Sequence, residues 1–204
     1  NRDAFIIIGN SVAGSIPEIF LKNSSADIAV MGEGEITTAE VVQKILKGEE
    51  NWEAVAGIAY KNRDGKIKIN DKRKALKKLD DFPMINWENF DTEKYFEKSY
   101  AGAHAIDDRK VRVMPLVTAR GCAFKCTFCH FVFWNDPYRY RSPENILLEL
   151  KRNLVDYNSN YITFWDDLSF ASLPQAERFA DAILASGLKF NWNAAVRVDL
   201  FGNP

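Results

Sequence analysis

Three cysteines lie within eight consecutive residues, at Cys122, Cys126 and Cys129, and the chain contains no other cysteine. A thiolate can be a redox nucleophile, a ligand of one metal ion or a ligand of an iron–sulfur cluster. A structural zinc site usually requires four ligands in paired two-residue spacings. His130 is adjacent to Cys129 and poorly placed to complete the same tetrahedron, and nothing in the sequence positions His104 for that role.

A redox dithiol would explain only part of this motif. Cys126 and Cys129 have the spacing of a redox pair, but such a pair usually opens a helix, and Cys122 would then have no role. Three buried, unreactive cysteines are a further possibility, although their clustering beside Gly121 argues against it. Three thiolates on one tight loop suit a [4Fe–4S] cluster whose fourth iron is open to a substrate or cofactor. The missing fourth cysteine is then the functional feature.

The segments around this loop predict alternating strands and helices. Strands are predicted at VRVMPLVTA, which leads directly into the loop, at YITFWDD and at KFNWNAAVRVDL. One helix follows Ser142 as N-cap with Pro143 in its first position, and another runs from a capping box of Ser172 and Gln175 to Gly187. This order predicts a parallel sheet or an incomplete barrel, in which functional loops follow the carboxyl ends of the strands.

The first fifty residues predict two more buried parallel strands, FIIIG and DIAVMG, each ending in glycine. A short helix is predicted from Pro17, and another from the capping-box spacing of Thr37 and Glu40 to Gly48. Two such units indicate part of a doubly wound sheet. The segment GEGE resembles a phosphate loop only weakly, because Glu33 and Glu35 would repel a phosphate at the start of a helix.

A different pattern separates these two regions. AGIAY and KIKIN flank Asn62-Arg63-Asp64-Gly65 and predict a β-hairpin. A charged segment at 71–81, whose lysines we expect on a solvated face, leads into an aromatic-rich linker through Tyr100. We therefore predict three regions, 1–50, 51–110 and 111–204. The chain begins without methionine inside a strand and ends just after another, so we expect an internal fragment of a longer protein.

The composition is that of a globular protein, 47% hydrophobic and 27% charged, with a net charge near −1. This charge gives no basis for nucleic-acid binding or for binding to an anionic membrane. No apolar run approaches the roughly 20 residues of a membrane span, and no signal peptide is evident. With three clustered cysteines and no disulfide framework, we expect a cytoplasmic protein.

The cysteine loop resembles the signature of the radical S-adenosylmethionine superfamily. The resemblance rests on the spacing of the three cysteines, on Phe128 before the last of them, on the preceding strand with TARGC, and on the following YRYRSPENILLEL. It implies the first three βα units of a partial (β/α)6 barrel, with S-adenosylmethionine bound at the open iron of a [4Fe–4S] cluster. An electron from a donor such as flavodoxin or ferredoxin would then cleave the cofactor to methionine and a 5′-deoxyadenosyl radical.

The resemblance also implies cofactor-binding residues beyond the cysteines, and it includes Phe128 among them. An acidic group at the end of the second barrel strand binds the methionine ammonium in this family, and Asp166 and Asp167 stand there in place of the usual Gly-Gly-Glu. Either carboxylate suits an ammonium, although the pair could also be a solvated one that leads into a helix. Arg197 follows the third strand and could bind the cofactor carboxylate, or form an ion pair with Asp199.

Residues 3–48 resemble the second half of a Rossmann-like cobalamin-binding domain. The matching pieces are FIIIGN, the helix IPEIFL, ADIAVMGEGE and the helix after it. The resemblance implies that Gly9, Gly32, Glu33 and Gly34 lie near cobalamin, where glycines let its nucleotide tail approach the backbone. Gly9-Asn10 replaces the commoner Gly-Gly, and the Asp-x-His-x-x-Gly segment that supplies an axial cobalt ligand in some members is absent. Three alternatives are open: the segment lies elsewhere in the protein, cobalamin binds without a histidine ligand, or the domain has lost cobalamin.

Together these features predict an oxygen-sensitive radical S-adenosylmethionine enzyme of the cobalamin-domain type that acts on a small molecule. Methyl transfer to an unactivated carbon or phosphorus is the reaction that this architecture most often implies. We expect cobalamin at the carboxyl edge of the first sheet, facing the cluster across the linker. Radical cyclisation or rearrangement with a vestigial cobalamin domain is the alternative among enzymes. A zinc-binding interaction module is the alternative that is not an enzyme.

Overall fold

The computed structural model of the chain describes residues 4–98, 111–129, 137–200 and 202. These residues form two compact units, divided between Leu76 and Lys77. Both units combine helices with a sheet that contains parallel strands, which confirms the predicted α/β class. Within the described part of the chain, no helix is long and apolar enough to cross a membrane.

The first unit contains one four-stranded sheet. Strands β1 and β2 are parallel, as predicted, and β3 and β4 follow them as an antiparallel hairpin that pairs with β2 through β3. The hairpin predicted at residues 55–70 therefore extends the first sheet. The elements are β1 (Ile7–Ile8), α1 (Asn10–Ser15), α2 (Pro17–Lys22), β2 (Ile28–Val30), α3 (Gly34–Lys47), β3 (Ile58–Lys61) and β4 (Ile67–Ile69).

The first sheet is covered on both faces at β2, and this strand is therefore buried along its whole length. Successive side chains of a strand point to opposite faces. Ile28 and Val30 pack in one cluster with Val41 of α3, whereas Ala29 packs in another with Leu21 of α2. The continuous apolar run DIAVMG is thus explained by packing on two sides, as its pattern predicts.

The start of α3 differs from the prediction. Glu33 is the N-cap and the helix begins at Gly34, so the predicted capping box of Thr37 and Glu40 is wrong. Thr37 is fully buried one turn inside the helix, where its hydroxyl oxygen accepts a hydrogen bond from Arg73 Nε at 2.8 Å. Arg73 also pairs with the Glu40 carboxylate. The charged segment after the hairpin is therefore partly bound to α3, and this long-range pairing was not readable from the local spacing.

The second unit contains the parallel sheet β5-β8-β9 and a short antiparallel ribbon of β6 and β7. The helices α5 and α6 connect its strands in the predicted alternation. The elements are α4 (Thr92–Glu97), β5 (Val113–Leu116), β6 (Ala119–Arg120), β7 (Arg139–Tyr140), α5 (Pro143–Val155), β8 (Tyr161–Phe164), α6 (Leu173–Ser186) and β9 (Asn191–Asn193). The three parallel strands match in order the three strands that the sequence predicts.

One face of this sheet packs on α5 and α6. The core cluster joins Leu116 and Phe164 of the strands to Leu150 of α5 and Phe179 of α6. Ser142 caps α5, since its side chain accepts a hydrogen bond from the Asn145 amide at 3.2 Å, as predicted. With the helices packed on one face, the loops after β5 and β8 meet at the carboxyl edge of the sheet.

The capping box predicted for α6 does not form. Ser172 is its N-cap, but the serine side chain makes no capping hydrogen bond. Gln175 instead accepts from the Ala171 amide at 3.0 Å, through its side-chain oxygen. It also donates to the Ser169 carbonyl at 3.1 Å, so it organises the segment that leads into the helix.

Candidate functional site

The cysteine loop follows the carboxyl end of β5 and is closed at its neck by the β6–β7 ribbon. Ala119 pairs with Tyr140 and Arg120 pairs with Arg139. Gly121 then turns the chain with φ +80°, a left-handed conformation that glycine adopts without strain. A side chain at this position would also lie 3.4 Å from the Pro137 carbonyl oxygen. The two ends of the loop are thus held together by local geometry.

The three cysteines are free thiols, of which Cys122 and Cys126 are partly buried and Cys129 is exposed. The Cys129 amide donates to the Cys126 carbonyl at 3.0 Å, which forms a turn between them. Among the described residues, no three histidine, cysteine or carboxylate side chains gather closely enough to hold one metal ion. His104 and His130, considered as zinc ligands, lie outside the described residues. Three uncommitted thiols on one loop suit the thiolate ligation of an iron–sulfur cluster.

Arg197 lies against this loop. Its Nη1 is 3.6 Å from Cys126 Sγ, and its guanidinium stacks on the Phe124 ring at 4.1 Å from the ring centre. It also forms an ion pair with Asp199, one of the two roles that the sequence left open, with bidentate contacts of 2.9 Å and 2.6 Å. The hydrogen bond to Asp199, and to a smaller extent the nearby Cys126 and Cys122, raise the pKa of Arg197. The contact with Phe124 was not predicted.

Asp166 and Asp167 follow β8 but have different surroundings. The Asp166 carboxylate accepts hydrogen bonds from the amides of Thr118 and Ala119, at 2.8 Å and 3.0 Å, and from the Thr118 hydroxyl. Asp167 is an exposed residue. Desolvation of its carboxyl group, and then the charge of Asp166, raise the pKa of Asp167. The two residues that the sequence treated as equivalent therefore have separate environments.

Tyr138 is a residue that the sequence analysis missed. It follows the loop, and its hydroxyl donates to the Ser169 carbonyl at 2.9 Å. Its oxygen also accepts from Gln175 Nε2 at 2.9 Å, and Gln175 lies in the first turn of α6. Burial raises its pKa to about 12. Tyr138 thus ties the end of the cysteine loop to the start of α6, and only its position between the loop and β7 hinted at this.

Of the four residues predicted to lie near cobalamin, Gly32 lines a cavity in the first unit, and Gly9, Glu33 and Gly34 are not part of that lining. This cavity of about 180 Å³ lies in the first unit, at the carboxyl ends of β1 and β2. Gly32 has φ +77°, whereas Glu33 caps α3 and Gly34 begins it. A side chain at Gly9 would meet no atom within 4 Å. The cavity is lined by Asn10, Ser11, Gly14, Ser15, Met31, Gly32 and Lys72.

Most of these lining residues were not predicted, although a signal was present. The small and polar residues NSVAGS follow β1 directly and form α1. Gly14 in this helix lies so close to the end of β2 that an added Cβ would be 3.4 Å from Met31 Cα and 3.5 Å from the Val30 oxygen. Lys72 reaches the cavity from the segment after β4, and only the fold brings it there.

No protein-family model matches the chain. An uncharacterised methyltransferase of Pyrococcus horikoshii is 27% identical over 206 residues, which covers 98% of this chain and 41% of that protein. Cytidylyl-2-hydroxyethylphosphonate methyltransferase of Streptomyces wedmorensis is 28% identical over 208 residues, covering 91% and 38%. An anaerobic magnesium-protoporphyrin IX monomethyl ester cyclase of Rubrivivax gelatinosus is 25% identical over 207 residues, covering 97% and 34%. The chain thus spans between 34% and 41% of the length of these relatives.

Solved structures give the decisive likeness. Apo OxsB, a cobalamin-dependent S-adenosylmethionine radical enzyme, matches 98% of this chain with a TM-score of 0.72 and 25% identity, over 27% of its own length. The chain resembles the cobalamin-dependent radical S-adenosylmethionine enzymes, as its motifs predicted. OxsB with aqua-cobalamin bound matches equally well, with a TM-score of 0.72 and 25% identity. The methyltransferase TsrM of Kitasatospora setae, solved with cobalamin and a [4Fe–4S] cluster, shares the fold with a TM-score of 0.62 over 90% of this chain and 34% of its own, at 15% identity.

Proposed function

We propose that the second unit holds a [4Fe–4S] cluster on Cys122, Cys126 and Cys129, as part of a radical S-adenosylmethionine enzyme. The observation that carries this proposal is the loop of three free thiols, closed at its neck by β6 and β7 and placed at the carboxyl edge of a parallel sheet. When bound and reduced, the cluster would supply the electron that cleaves S-adenosylmethionine to a 5′-deoxyadenosyl radical. The donor of that electron is proposed to be a flavodoxin or ferredoxin.

The surrounding residues would bind this cofactor and balance its charge. Arg197 places a positive charge beside Cys126 and would offset the negative charge of the thiolate ligands. Desolvation, and then the charge of the neighbouring Asp166, raise the pKa of Asp167, and an ammonium group beside this carboxyl group would offset both effects. Phe128 is 91% exposed and offers an apolar surface directly before the third cysteine. We assign it to contact with bound S-adenosylmethionine.

We further propose that the first unit binds cobalamin at the carboxyl ends of β1 and β2. The cavity there is lined by small and hydroxyl side chains and by the turn at Gly32. OxsB, which matches nearly the whole of this chain, has been solved with aqua-cobalamin bound. Residues 1–76 contain no histidine.

Methyl transfer to a small molecule is the reaction that we propose. Methyltransferases from Pyrococcus horikoshii and Streptomyces wedmorensis match at least 91% of this chain. Cobalamin would then carry the methyl group that a deoxyadenosyl radical does not. The match to a magnesium-protoporphyrin IX monomethyl ester cyclase supports a second candidate, radical cyclisation. We propose a cytoplasmic location, since radical chemistry on an iron–sulfur cluster requires protection from oxygen.

The test is anaerobic reconstitution of the natural protein with iron and sulfide. We expect one [4Fe–4S] cluster, seen as broad brown absorbance, and reductive cleavage of S-adenosylmethionine to 5′-deoxyadenosine. Alanine at Cys122, Cys126 or Cys129 should abolish the cleavage, whereas Lys125→Ala, an exposed change in the same loop, should not. Full cleavage by any single cysteine variant would refute the assignment. A colourless protein that binds zinc would support the interaction module.

A further inference from the structure

The segment from Val117 to Ala119 joins β5 to the cysteine loop, and its backbone is bonded by two side chains from elsewhere in the second unit. The Asp166 carboxylate accepts from the amides of Thr118 and Ala119, at 2.8 Å and 3.0 Å. Arg141 Nη1 donates to the Val117 carbonyl at 2.9 Å. The Arg141 amide donates to the Thr118 carbonyl at 2.8 Å. Asp166 and Arg141 therefore provide hydrogen-bond partners for two backbone amides and two backbone carbonyls of this segment.

These bonds matter because the segment is buried. Thr118 and Ala119 are each only 2% exposed, and a buried backbone amide without a partner is costly. The Thr118 hydroxyl also donates to Asp166, which gives this carboxylate three donors from two consecutive residues. Three protein donors occupy the two oxygens, whereas Asp167, one residue further on, is exposed.

We infer that Asp166 is a positioning residue that fixes the base of the cysteine loop, and that Asp167 alone is the carboxylate for the cofactor ammonium. This inference rests on the proposed cluster and extends it by dividing the acidic pair between two roles. The path of the effect is short, since Ala119 begins the ribbon whose next turn, at Gly121, leads directly to Cys122. A shift of Thr118 and Ala119 would be passed to the first cysteine through three peptide units.

The two roles make different demands on residue 166. A positioning residue needs acceptors of the right shape, and asparagine retains them: its oxygen can accept from both amides. Its NH₂ group can donate to the Thr118 hydroxyl, which can also act as an acceptor. An ammonium ligand needs the negative charge, which asparagine lacks. Asp166→Asn should therefore rescue what Asp166→Ala loses, if Asp166 acts through the loop.

The experiment compares Asp166→Asn, Asp166→Ala, Asp167→Asn and Thr118→Val in the reconstituted natural protein. Cluster content, the electron paramagnetic resonance spectrum of the reduced cluster and the Kd of S-adenosylmethionine are measured for each variant. For Asp166→Asn we expect wild-type cluster content and a Kd within about threefold of wild type. For Asp167→Asn we expect a full cluster with a Kd raised about ten- to hundred-fold, the loss of one charge-assisted hydrogen bond.

Asp166→Ala should lower cluster content and alter the spectrum of what remains, and Thr118→Val should do so more weakly. If Asp166→Ala does not fold, the comparison of the other three variants still decides. A Kd raised as strongly by Asp166→Asn as by Asp167→Asn would overturn the inference, and so would an unchanged cluster in Asp166→Ala. If the wild-type protein assembles no cluster, the proposed function itself fails, which is a distinct result.

Discussion

Replacing Gly14 with alanine should weaken cobalamin binding without weakening the fold. The added Cβ would lie 3.4 Å from Met31 Cα, 3.5 Å from the Val30 oxygen and 3.6 Å from the Gly32 amide nitrogen. These are ordinary van der Waals distances, and Gly14 lies in α1 without a positive φ. Alanine is about 0.8–1 kcal/mol more favourable than glycine inside a helix. We therefore expect a free energy of unfolding that is equal to that of the wild type or up to about 1 kcal/mol higher.

The same methyl group stands at the wall of the cavity, beside the turn at Gly32. Forcing an extra methyl group into an occupied site typically costs about 1–3 kcal/mol. That cost corresponds to an increase in the Kd of cobalamin of about 5- to 150-fold. Hydroxocobalamin binding is measured by visible absorbance, and unfolding is measured in urea on the same preparations.

Val12→Ala is the control, because Val12 lies two residues earlier in the same helix, is 54% exposed and is not among the residues that line the cavity. It should change neither stability nor cobalamin affinity. If Gly14→Ala binds cobalamin as tightly as the wild type, the cavity is not part of the binding site. If the wild type shows no binding at high micromolar cobalamin, methyl transfer is no longer supported and a radical enzyme with a vestigial domain remains.

Three further changes test the framework of the site. Gly121→Ala and Gly65→Ala both place alanine at a positive φ, +80° and +74°, so each should lower stability by about 1–2 kcal/mol, but only Gly121→Ala should reduce cluster content. Equal cluster content in both variants would contradict the role of the loop neck. The side chain of Glu149 is only 5% exposed and pairs with Arg141. Glu149→Ala leaves the Arg141 charge without this buried partner and should lower the free energy of unfolding, measured in urea, by about 3–5 kcal/mol. A decrease below about 1 kcal/mol would refute this. Burial raises the pKa of Tyr138 from 10 to about 12, so its neutral form contributes stability that is present below pH 10 and lost as the pH rises through 12. Tyr138→Phe should not show this loss of unfolding free energy between pH 10 and 12. If the variant and the wild type lose the same stability over this range, the role of Tyr138 is refuted.

Much of the fold could be predicted because it depends on local patterns. Apolar runs and their lengths predicted β2 and β8, and Ser142 with Pro143 predicted the start of α5. The capping box at Thr37 failed for a physical reason. The same residue types suit a helix N-terminus and a buried contact inside a helix, and only the distant Arg73 decides between the two.

The candidate ligands of the site could also be predicted from local sequence patterns. The spacing of the three cysteines and the acidic pair after β8 are readable in the sequence, and they led to the family that the comparisons then supported. The difference between Asp166 and Asp167 was not readable there. Adjacent residues of the same type differ only in which way their side chains point, and Thr118, the partner of Asp166, is 48 residues away.

The sequence by itself therefore determined the chemistry that the chain offers: three thiols, two carboxylates and an arginine, at the ends of strands. Only the tertiary structure decided which of these groups are committed to the protein. Arg197 is bound to Asp199 and lies against Cys126, Asp166 holds the Thr118 segment, and Lys72 lines a cavity in the first unit. Residue types and spacings are local properties of a chain. A hydrogen bond between distant residues forms only when the packing of whole elements brings donor and acceptor within about 3 Å of each other.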